Sequence, residues 1–142
     1  MDPVLAVSIT TLVVAAAGAL GLLLRASRGR RRRGDAGVLA PGDLPGFDAL
    51  APTGTLVQFS TEFCSSCPGT RRLLSREAAR REGVDYLDVD LTRDPDLAGR
   101  LRILQTPTVF VLDRKGRMTT RFGGPPRLAD LRAALDELPR SG

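Results

Sequence analysis

The fold is decided by residues 55–67, which read TLVQFSTEFCSSC. The first six residues are rich in types that favour strands and follow a turn that contains Pro52, so they predict a strand. Apolar residues at helical spacing follow in residues 65–82, and a glycine ends that run, which predicts a helix. Two cysteines, Cys64 and Cys67, therefore lie where a strand passes into a helix.

Strands and helices continue to alternate along the rest of the chain. The hydrophobic patterns predict strands at 84–90, 108–112 and 117–122 and helices at 95–104 and 128–138. The resulting order, βαβαββα, predicts an α/β domain with a mixed central sheet covered by helices.

Cys64 and Cys67 have the spacing of a redox-active dithiol. A helix N-terminus presents free N–H groups and a partial positive charge, which favour the thiolate form of Cys64 and make it the nucleophile. Cys67 lies one turn further on, close enough to attack a mixed disulfide on Cys64 and release the product. The alternative is a structural disulfide, although a bridge across so short a spacing closes a small loop and stabilises little.

Composition excludes several other kinds of site. The sequence contains no histidine, which excludes a Ser-His-Asp or Cys-His triad and a metal or haem held by histidine. Zinc needs four ligands, an iron–sulfur cluster needs more thiols than this chain has, and c-type haem attachment needs a histidine where this chain has Pro68. The sequence therefore predicts neither a metal ion nor a cofactor.

Residues 56–67 resemble the active-site segment of the thioredoxin family. Further along the chain, residues 106–108 read Thr-Pro-Thr ahead of an apolar strand and are similar to the family's cis-proline loop. Residues 122–124, Phe-Gly-Gly, also fall where the family has them. The resemblance covers about residues 47–140 and implies a thioredoxin-like fold, with helices on both faces of the sheet.

The resemblance also implies a role for individual residues. Cys64 would be the attacking thiol and Cys67 the resolving thiol. The residues implied to bind the substrate are Phe63, Thr106, Pro107 and Gly123. Pro107 would be cis and lie against the disulfide, the Thr106 backbone would pair with an extended substrate chain, and Gly123 would let that chain approach closely. For Pro107 the alternative is an ordinary proline at the start of a strand.

The motif departs from the family's pattern at several positions. A buried aspartate that relays protons to the second cysteine in the family is replaced by Gln58, which cannot take a proton. Tryptophans beside the motif are replaced by Ser60 and Phe63, and the usual Gly-Pro between the cysteines is replaced by two serines. We therefore expect Cys67 to resolve mixed disulfides more slowly than in a thioredoxin that has the aspartate.

Residues 4–24 are a run of 21 residues without a charge, and they predict a transmembrane helix in residues 1–24. At 1.5 Å per residue the run spans about 31 Å, close to the hydrocarbon core of about 30 Å. One alternative is a core helix, which the remaining chain is too small to surround. The other is a cleaved signal peptide, which normally has a positive segment before a shorter apolar one.

The net charge of +5 is concentrated beside this helix. Residues 25–33 hold six arginines, whereas the acidic and basic residues of 34–142 balance. A basic face on the folded domain and a nucleic-acid partner are therefore not expected. Because arginines that flank a membrane helix tend to stay in the cytoplasm, we expect a single-pass cell-membrane protein with a cytoplasmic C-terminal domain. The alternative is an extracytoplasmic domain.

Residues 25–46 are expected to form a basic juxtamembrane segment and linker with too few apolar residues for a core, and residues 47–142 to form the thioredoxin-like domain. The sequence thus predicts a membrane-tethered thiol–disulfide oxidoreductase, mainly a reductase of protein disulfides. Its expected partners are those substrates, the lipid bilayer and an electron donor such as a thioredoxin reductase or a membrane thiol carrier. The alternatives are an extracytoplasmic reductase, isomerase or cytochrome-maturation factor, and a thioredoxin-like binding module whose cysteines are incidental.

Overall fold

The computed structural model describes residues 2–27, 30–33 and 37–139. Its helices are α1 (Pro3–Ser27), α2 (Cys67–Ala79), α3 (Pro95–Arg100) and α4 (Leu128–Asp136). Its strands are β1 (Arg30–Arg33), β2 (Gly54–Ser60), β3 (Val84–Asp90), β4 (Thr108–Asp113) and β5 (Met118–Gly123). From β2 onward the order of elements is the predicted βαβαββα, so that prediction is confirmed. An additional strand, β1, precedes it.

The five strands form one mixed sheet in the order β1-β5-β4-β2-β3. β2 and β3 are parallel, and the other neighbouring strands are antiparallel. Every residue of β2 and β4 is buried, as is usual for central strands that are covered on both faces. The C-terminal end of β2, which leads to Cys64, therefore emerges from the middle of the sheet.

Two hydrophobic layers cover the two faces of the sheet. Successive residues of a strand point to opposite faces, so Leu56 packs in one layer and Val57 in the other. Helices α2 and α4 supply the first layer with Leu74, Ala78, Leu131, Ala134 and Leu135. Helix α3 supplies the second layer with Leu97 and Ala98. The prediction of helices on both faces of the sheet is confirmed.

The segment before β2 contributes to the second layer. Leu44 and Phe47 are each 3% exposed and pack in that layer. Leu44, which lies in the segment predicted to be a linker, is therefore part of the domain's hydrophobic core. A turn brings the segment back onto the sheet: the Gly42 N–H donates to the Phe47 carbonyl at 2.7 Å. Gly42 has a φ of 93° there, which glycine adopts without strain.

β1 is an edge strand made of four arginines. It pairs antiparallel with β5, with Arg30 opposite Gly123 and Arg33 opposite Thr120. The chain continues along this edge, where the Leu39 N–H donates at 2.9 Å to a carbonyl in the turn between β4 and β5. Part of the segment predicted to be a linker is therefore a strand. Backbone ladders form whatever the side chains are, and four identical residues show no alternation that predicts a strand.

α1 is the one helix in the described part of the chain that is long and apolar enough to cross a membrane, with a mean hydropathy of 2.2 over Pro3–Arg25. The side chains of this stretch are all exposed, so α1 is not a core helix of the domain. The hydroxyls of Ser8, Thr10 and Thr11 each donate to the carbonyl four residues earlier at 2.8–2.9 Å. These hydroxyls are therefore satisfied within the helix, as an apolar surrounding requires. The length and composition fit a membrane span and also a signal sequence.

Candidate redox site

Cys64 and Cys67 form a disulfide at the C-terminal end of β2, with their Cα atoms 5.4 Å apart. Cys64 lies in the loop before α2 and is partly exposed. Cys67 is the first residue of α2 and is 2% exposed. A substrate can therefore reach the sulfur of Cys64 but not that of Cys67. Since a pair of cysteines that closes a disulfide is a two-electron redox couple, the accessible member of this couple is the one predicted to attack.

A turn from Cys64 to Cys67, followed directly by the first turn of α2, holds the two sulfurs together. The Cys67 N–H donates to the Cys64 carbonyl at 3.3 Å. Pro68 stands in the first turn of α2, where its missing N–H leaves no helical hydrogen bond unmade. The Ser66 side chain does not cap the helix, and its Oγ lies 3.8 Å from the Cys64 Sγ. Ser66 therefore places a hydroxyl close to the sulfur that is predicted to attack.

The loop of Thr106 and Pro107 lies beside the motif. The peptide bond between these residues is cis, as the resemblance implied, and Pro107 is buried. The Thr106 hydroxyl lies 3.3 Å from the Thr61 hydroxyl, which joins the loop to the segment before Cys64. The structure thus brings together two segments that are far apart in the sequence.

Gly123, at the end of β5, lies opposite Thr108 on β4. A Cβ atom at Gly123 would meet Nε2 of Gln105 at 2.6 Å, so the Gln105 side chain lies over the glycine. Gln105 is exposed, and a substrate chain that approaches Gly123 has to displace it. The approach of substrate at Gly123 stays a prediction.

Two large apolar side chains close to the disulfide in the sequence or the fold are exposed to solvent. Phe63, which precedes Cys64, is 86% exposed. Leu104, in the loop that leads to Thr106, is 95% exposed. Within residues 37–139 these are the most exposed large apolar side chains. Exposed apolar side chains on the loop of Cys64 and on the loop before Pro107 suit contact with an apolar partner segment.

Leu104 was missed as a candidate because it falls in the helix predicted at 95–104. Helix α3 ends at Arg100, and Arg102 has a φ of 51°, which takes the chain out of the helix. The end of the predicted helix is therefore wrong by about one turn. Gly99 was the available signal, because glycine weakens a helix interior and often stands near a helix end.

Gln58 lies under the motif, fully buried in the middle of β2. Its Nε2 donates to the Cys67 carbonyl at 3.0 Å, and its Oε1 accepts from the Tyr86 hydroxyl at 2.9 Å. Burial raises the pKa of Tyr86 to about 12, so this hydroxyl stays protonated and donating at neutral pH. Gln58 thus anchors the first turn of α2, which contains Cys67. Where the family has an aspartate that relays protons, this chain has a neutral amide with both of its hydrogen-bonding groups satisfied.

A carboxylate does lie beside Gln58 on the neighbouring strand. Asp88 is the register partner of Gln58 in the parallel ladder of β2 and β3. Its Oδ1 accepts from the Ser60 hydroxyl at 2.8 Å, and its Oδ2 forms an ion pair with Arg71 of α2. Both oxygens are thus engaged, which makes Asp88 an anchor between β2, β3 and α2.

We expect Gln58→Asp to reduce insulin about threefold faster than the parent chain. An aspartate below the motif can accept the proton of the Cys67 thiol, and the thiolate attacks faster than the thiol. Turnover with dithiothreitol as the reductant measures the effect.

The matched control for this variant is Gln58→Asn, which has the same size as the aspartate but cannot take a proton. Both substitutions lose the reach of the parent glutamine, so their difference isolates the carboxylate. Equal rates for the aspartate and asparagine variants would contradict a proton relay at this position.

The residues that the structure describes include no three His, Cys, Asp or Glu side chains placed to hold a metal ion. The two cysteines of the sequence are both taken up by the disulfide.

No protein-family model matches the sequence, and no curated protein matches it. Solved thioredoxin structures match the fold. Thioredoxin-2, a component of the protein secretion machinery of a malaria parasite, has a TM-score of 0.53 and 21% identity, over 60% of this chain and 82% of that one. Chloroplastic thioredoxin z has a TM-score of 0.54 and 24% identity, over 61% and 78%. Thioredoxin NaTrxh from Nicotiana alata has a TM-score of 0.53 and 17% identity, over 63% and 76%. The chain therefore has the thioredoxin fold that its sequence resemblance implied.

Proposed function

We propose that this chain is a membrane-tethered thiol–disulfide oxidoreductase that reduces protein disulfides with Cys64 and Cys67. The observation that carries the proposal is the unequal exposure of the two cysteines at the end of a central strand, Cys64 reachable and Cys67 buried. A disulfide that only stabilised the fold would gain little across so small a loop. Placed at the start of α2, the same pair suits an attack by one sulfur and a resolution by the other.

The reaction is a pair of disulfide exchanges. In the reduced protein the Cys64 thiolate attacks a substrate disulfide, forms a mixed disulfide and expels one substrate sulfur as a thiolate. The Cys67 thiolate then attacks the Cys64 sulfur, and the second substrate sulfur leaves as a thiolate that takes up a proton. Two electrons pass to the substrate, and the protein is left as the disulfide. A dithiol donor, such as a thioredoxin reductase or a membrane thiol carrier, returns the two electrons.

Four residues around the disulfide are the ones that we assign to substrate binding. They are Phe63, Thr106, Pro107 and Gly123. The exposed ring of Phe63 supplies apolar contact area next to Cys64. An extended substrate chain can pair with the Thr106 backbone, once Gln105 has moved away from Gly123.

We place α1 in the cell membrane and the redox domain in the cytoplasm. The apolar length of α1 supports the span. The arginines of residues 25–33 support the orientation, because they flank only the C-terminal end of the apolar run. A reducing cytoplasm keeps such a dithiol reduced, which sets the net direction as reduction of substrates.

The test is a Cys67→Ser variant expressed in intact cells. We expect it to retain mixed disulfides between Cys64 and its substrates, because the second exchange is removed. Non-reducing electrophoresis should show adducts that dithiothreitol releases, and a Cys64→Ser/Cys67→Ser double variant should show none. Cytoplasmic partners would support the proposed side of the membrane, and exported partners would contradict it. An empty lane would favour a binding module whose cysteines are incidental.

A further inference from the structure

A very short stretch of chain joins α1 to the sheet. α1 ends at Ser27, and β1 begins at Arg30. Consecutive Cα atoms are 3.8 Å apart, so three steps span at most about 11 Å. Because β1 is a strand of the sheet, the whole sheet is attached this close to the end of α1.

The start of β1 lies at the same end of the sheet as the disulfide. Arg30 is opposite Gly123. Gly123 is also opposite Thr108, which in turn is opposite Phe59. Neighbouring strands are about 4.8 Å apart, so this row crosses about 14 Å from β1 to β2. Phe59 stands one residue before the end of β2, and the loop of Cys64 follows. Phe59 therefore lies within about 25 Å of the end of α1, and the loop of Cys64, which begins two residues later, starts within about 32 Å of it.

The pairing of β1 greatly reduces the distance that the redox loop could move from the end of α1. If residues 28–53 were unpaired, they would extend over roughly 90 Å. Instead, β1 is paired with β5, and the chain pairs again four residues after β1 ends. There the Met118 N–H donates to the Gly37 carbonyl at 3.0 Å. These two pairings keep the sheet close to the end of α1. The redox loop lies at the end of the sheet to which α1 is attached.

The exposed apolar side chains lie at this end of the sheet too. Phe63 precedes Cys64, and Leu104 lies in the loop before Pro107. Trp and Tyr, whose rings are amphipathic, are enriched where a membrane span meets the water interface. A partner segment rich in such aromatic residues matches the exposed apolar side chains of Phe63 and Leu104.

We propose that the disulfides with which Cys64 exchanges belong to proteins of the same membrane and lie close to its surface. This rests on the proposed function and on α1 as a membrane span. The exchange is the one described above: two electrons pass from the dithiol of this chain to the partner's disulfide, and a dithiol donor restores the pair. Confinement near the partner raises its effective concentration without any new contact.

The test uses the full chain in lipid vesicles with dithiothreitol as the dithiol donor. The membrane probe is a synthetic single-span peptide that carries a fluorophore through a disulfide just outside its apolar segment, and insulin is the soluble substrate. In one variant about 20 Gly and Ser residues are inserted between Ser27 and Arg30, which lengthens the tether. In the matched control the same residues are inserted between Arg33 and Gly37, which leaves α1 and β1 adjacent.

We expect the insertion before β1 to slow reduction of the membrane probe about fivefold, because the effective concentration falls with tether length. The insertion after β1 should leave that rate unchanged, and both variants should reduce insulin at the rate of the parent chain. Equal rates on the membrane probe for the two insertions would overturn the inference, while insulin reduction would still support the proposed function. Failure of the parent chain to reduce either substrate would overturn the proposed function itself.

Discussion

Replacing Cys64 with serine is expected to lower insulin reduction by the full chain to the rate of dithiothreitol alone. Cys64 is the sulfur of the pair that a substrate can reach, since Cys67 is 2% exposed in the first turn of α2. A serine hydroxyl at position 64 is not ionised at neutral pH and cannot attack a disulfide, so the first exchange does not begin. The turbidity of reduced insulin measures the rate.

The Cys67→Ser variant is the control for this loss, because it lacks the disulfide as the Cys64→Ser variant does. It keeps the first exchange, so it should consume one equivalent of an activated disulfide in a single burst. Thermal unfolding of the two variants should agree within experimental error. Insulin reduction above background by Cys64→Ser would show that Cys64 is not the attacking thiol.

Replacing Glu77 with alanine is expected to lower the free energy of unfolding by about 2–3 kcal/mol. Glu77 is a carboxylate of α2 that is 1% exposed. It accepts two hydrogen bonds from Arg132 of α4, both at 3.0 Å, and others from Arg81 and Arg80 at 3.0 and 3.3 Å. Its removal breaks the ion pair that joins α2 to α4 and leaves three guanidinium groups without this acceptor. Urea unfolding of the full chain in detergent micelles measures the change.

An exposed acid five residues further along the chain provides the comparison. Glu82→Ala changes a solvent-facing carboxylate, so we expect a change within about 0.5 kcal/mol. Similar losses for the two alanine variants would contradict a special role for the carboxylate of Glu77.

The same carboxylate makes stability depend on acid pH. Hydrogen bonds from Arg132 hold the pKa of Glu77 below its ordinary value of 4.5, although burial acts in the opposite direction. A group whose pKa is lower in the folded state stabilises the fold above its unfolded pKa and loses that contribution as pH falls through its folded pKa. The stability gap between the parent chain and Glu77→Gln should therefore be full at neutral pH and shrink below about pH 4.5. A gap that stayed constant in acid would rule out this titration.

The elements from β2 to α4 could be predicted because their signals are local. β2 and β4 are short apolar runs bounded by turns, and α2 and α4 show apolar residues at helical spacing. The errors fall where a contact distant in sequence decides the structure. β1 exists because β5 offers an open edge, and Leu44 is buried because a turn lays it on α3 and the sheet. Neither contact leaves a periodic pattern in its own segment.

The candidate site likewise has features that a local motif predicts and features that depend on contacts distant in sequence. Cys64, Cys67 and Pro107 stand in short motifs that carry their own signal, and the structure brings all three to the place where β2 ends and β4 begins. The environment of Gln58 could not be predicted, because the Tyr86 hydroxyl that completes it comes from another strand. The sequence shows that a glutamine replaces the relay aspartate. The two hydrogen bonds that satisfy its amide can be identified only in the structure.

The four arginines of β1 also affect whether two copies of this chain can associate through their sheet edges. An edge strand presents unpaired N–H and C=O groups, which another strand can join to start aggregation. If α1 spans the membrane as proposed, copies of this chain are confined to one surface, where an open edge is a greater hazard. An antiparallel pairing of two β1 strands would set eight like charges against one another, which opposes it. The charges of β1 therefore oppose self-association at this edge of the sheet.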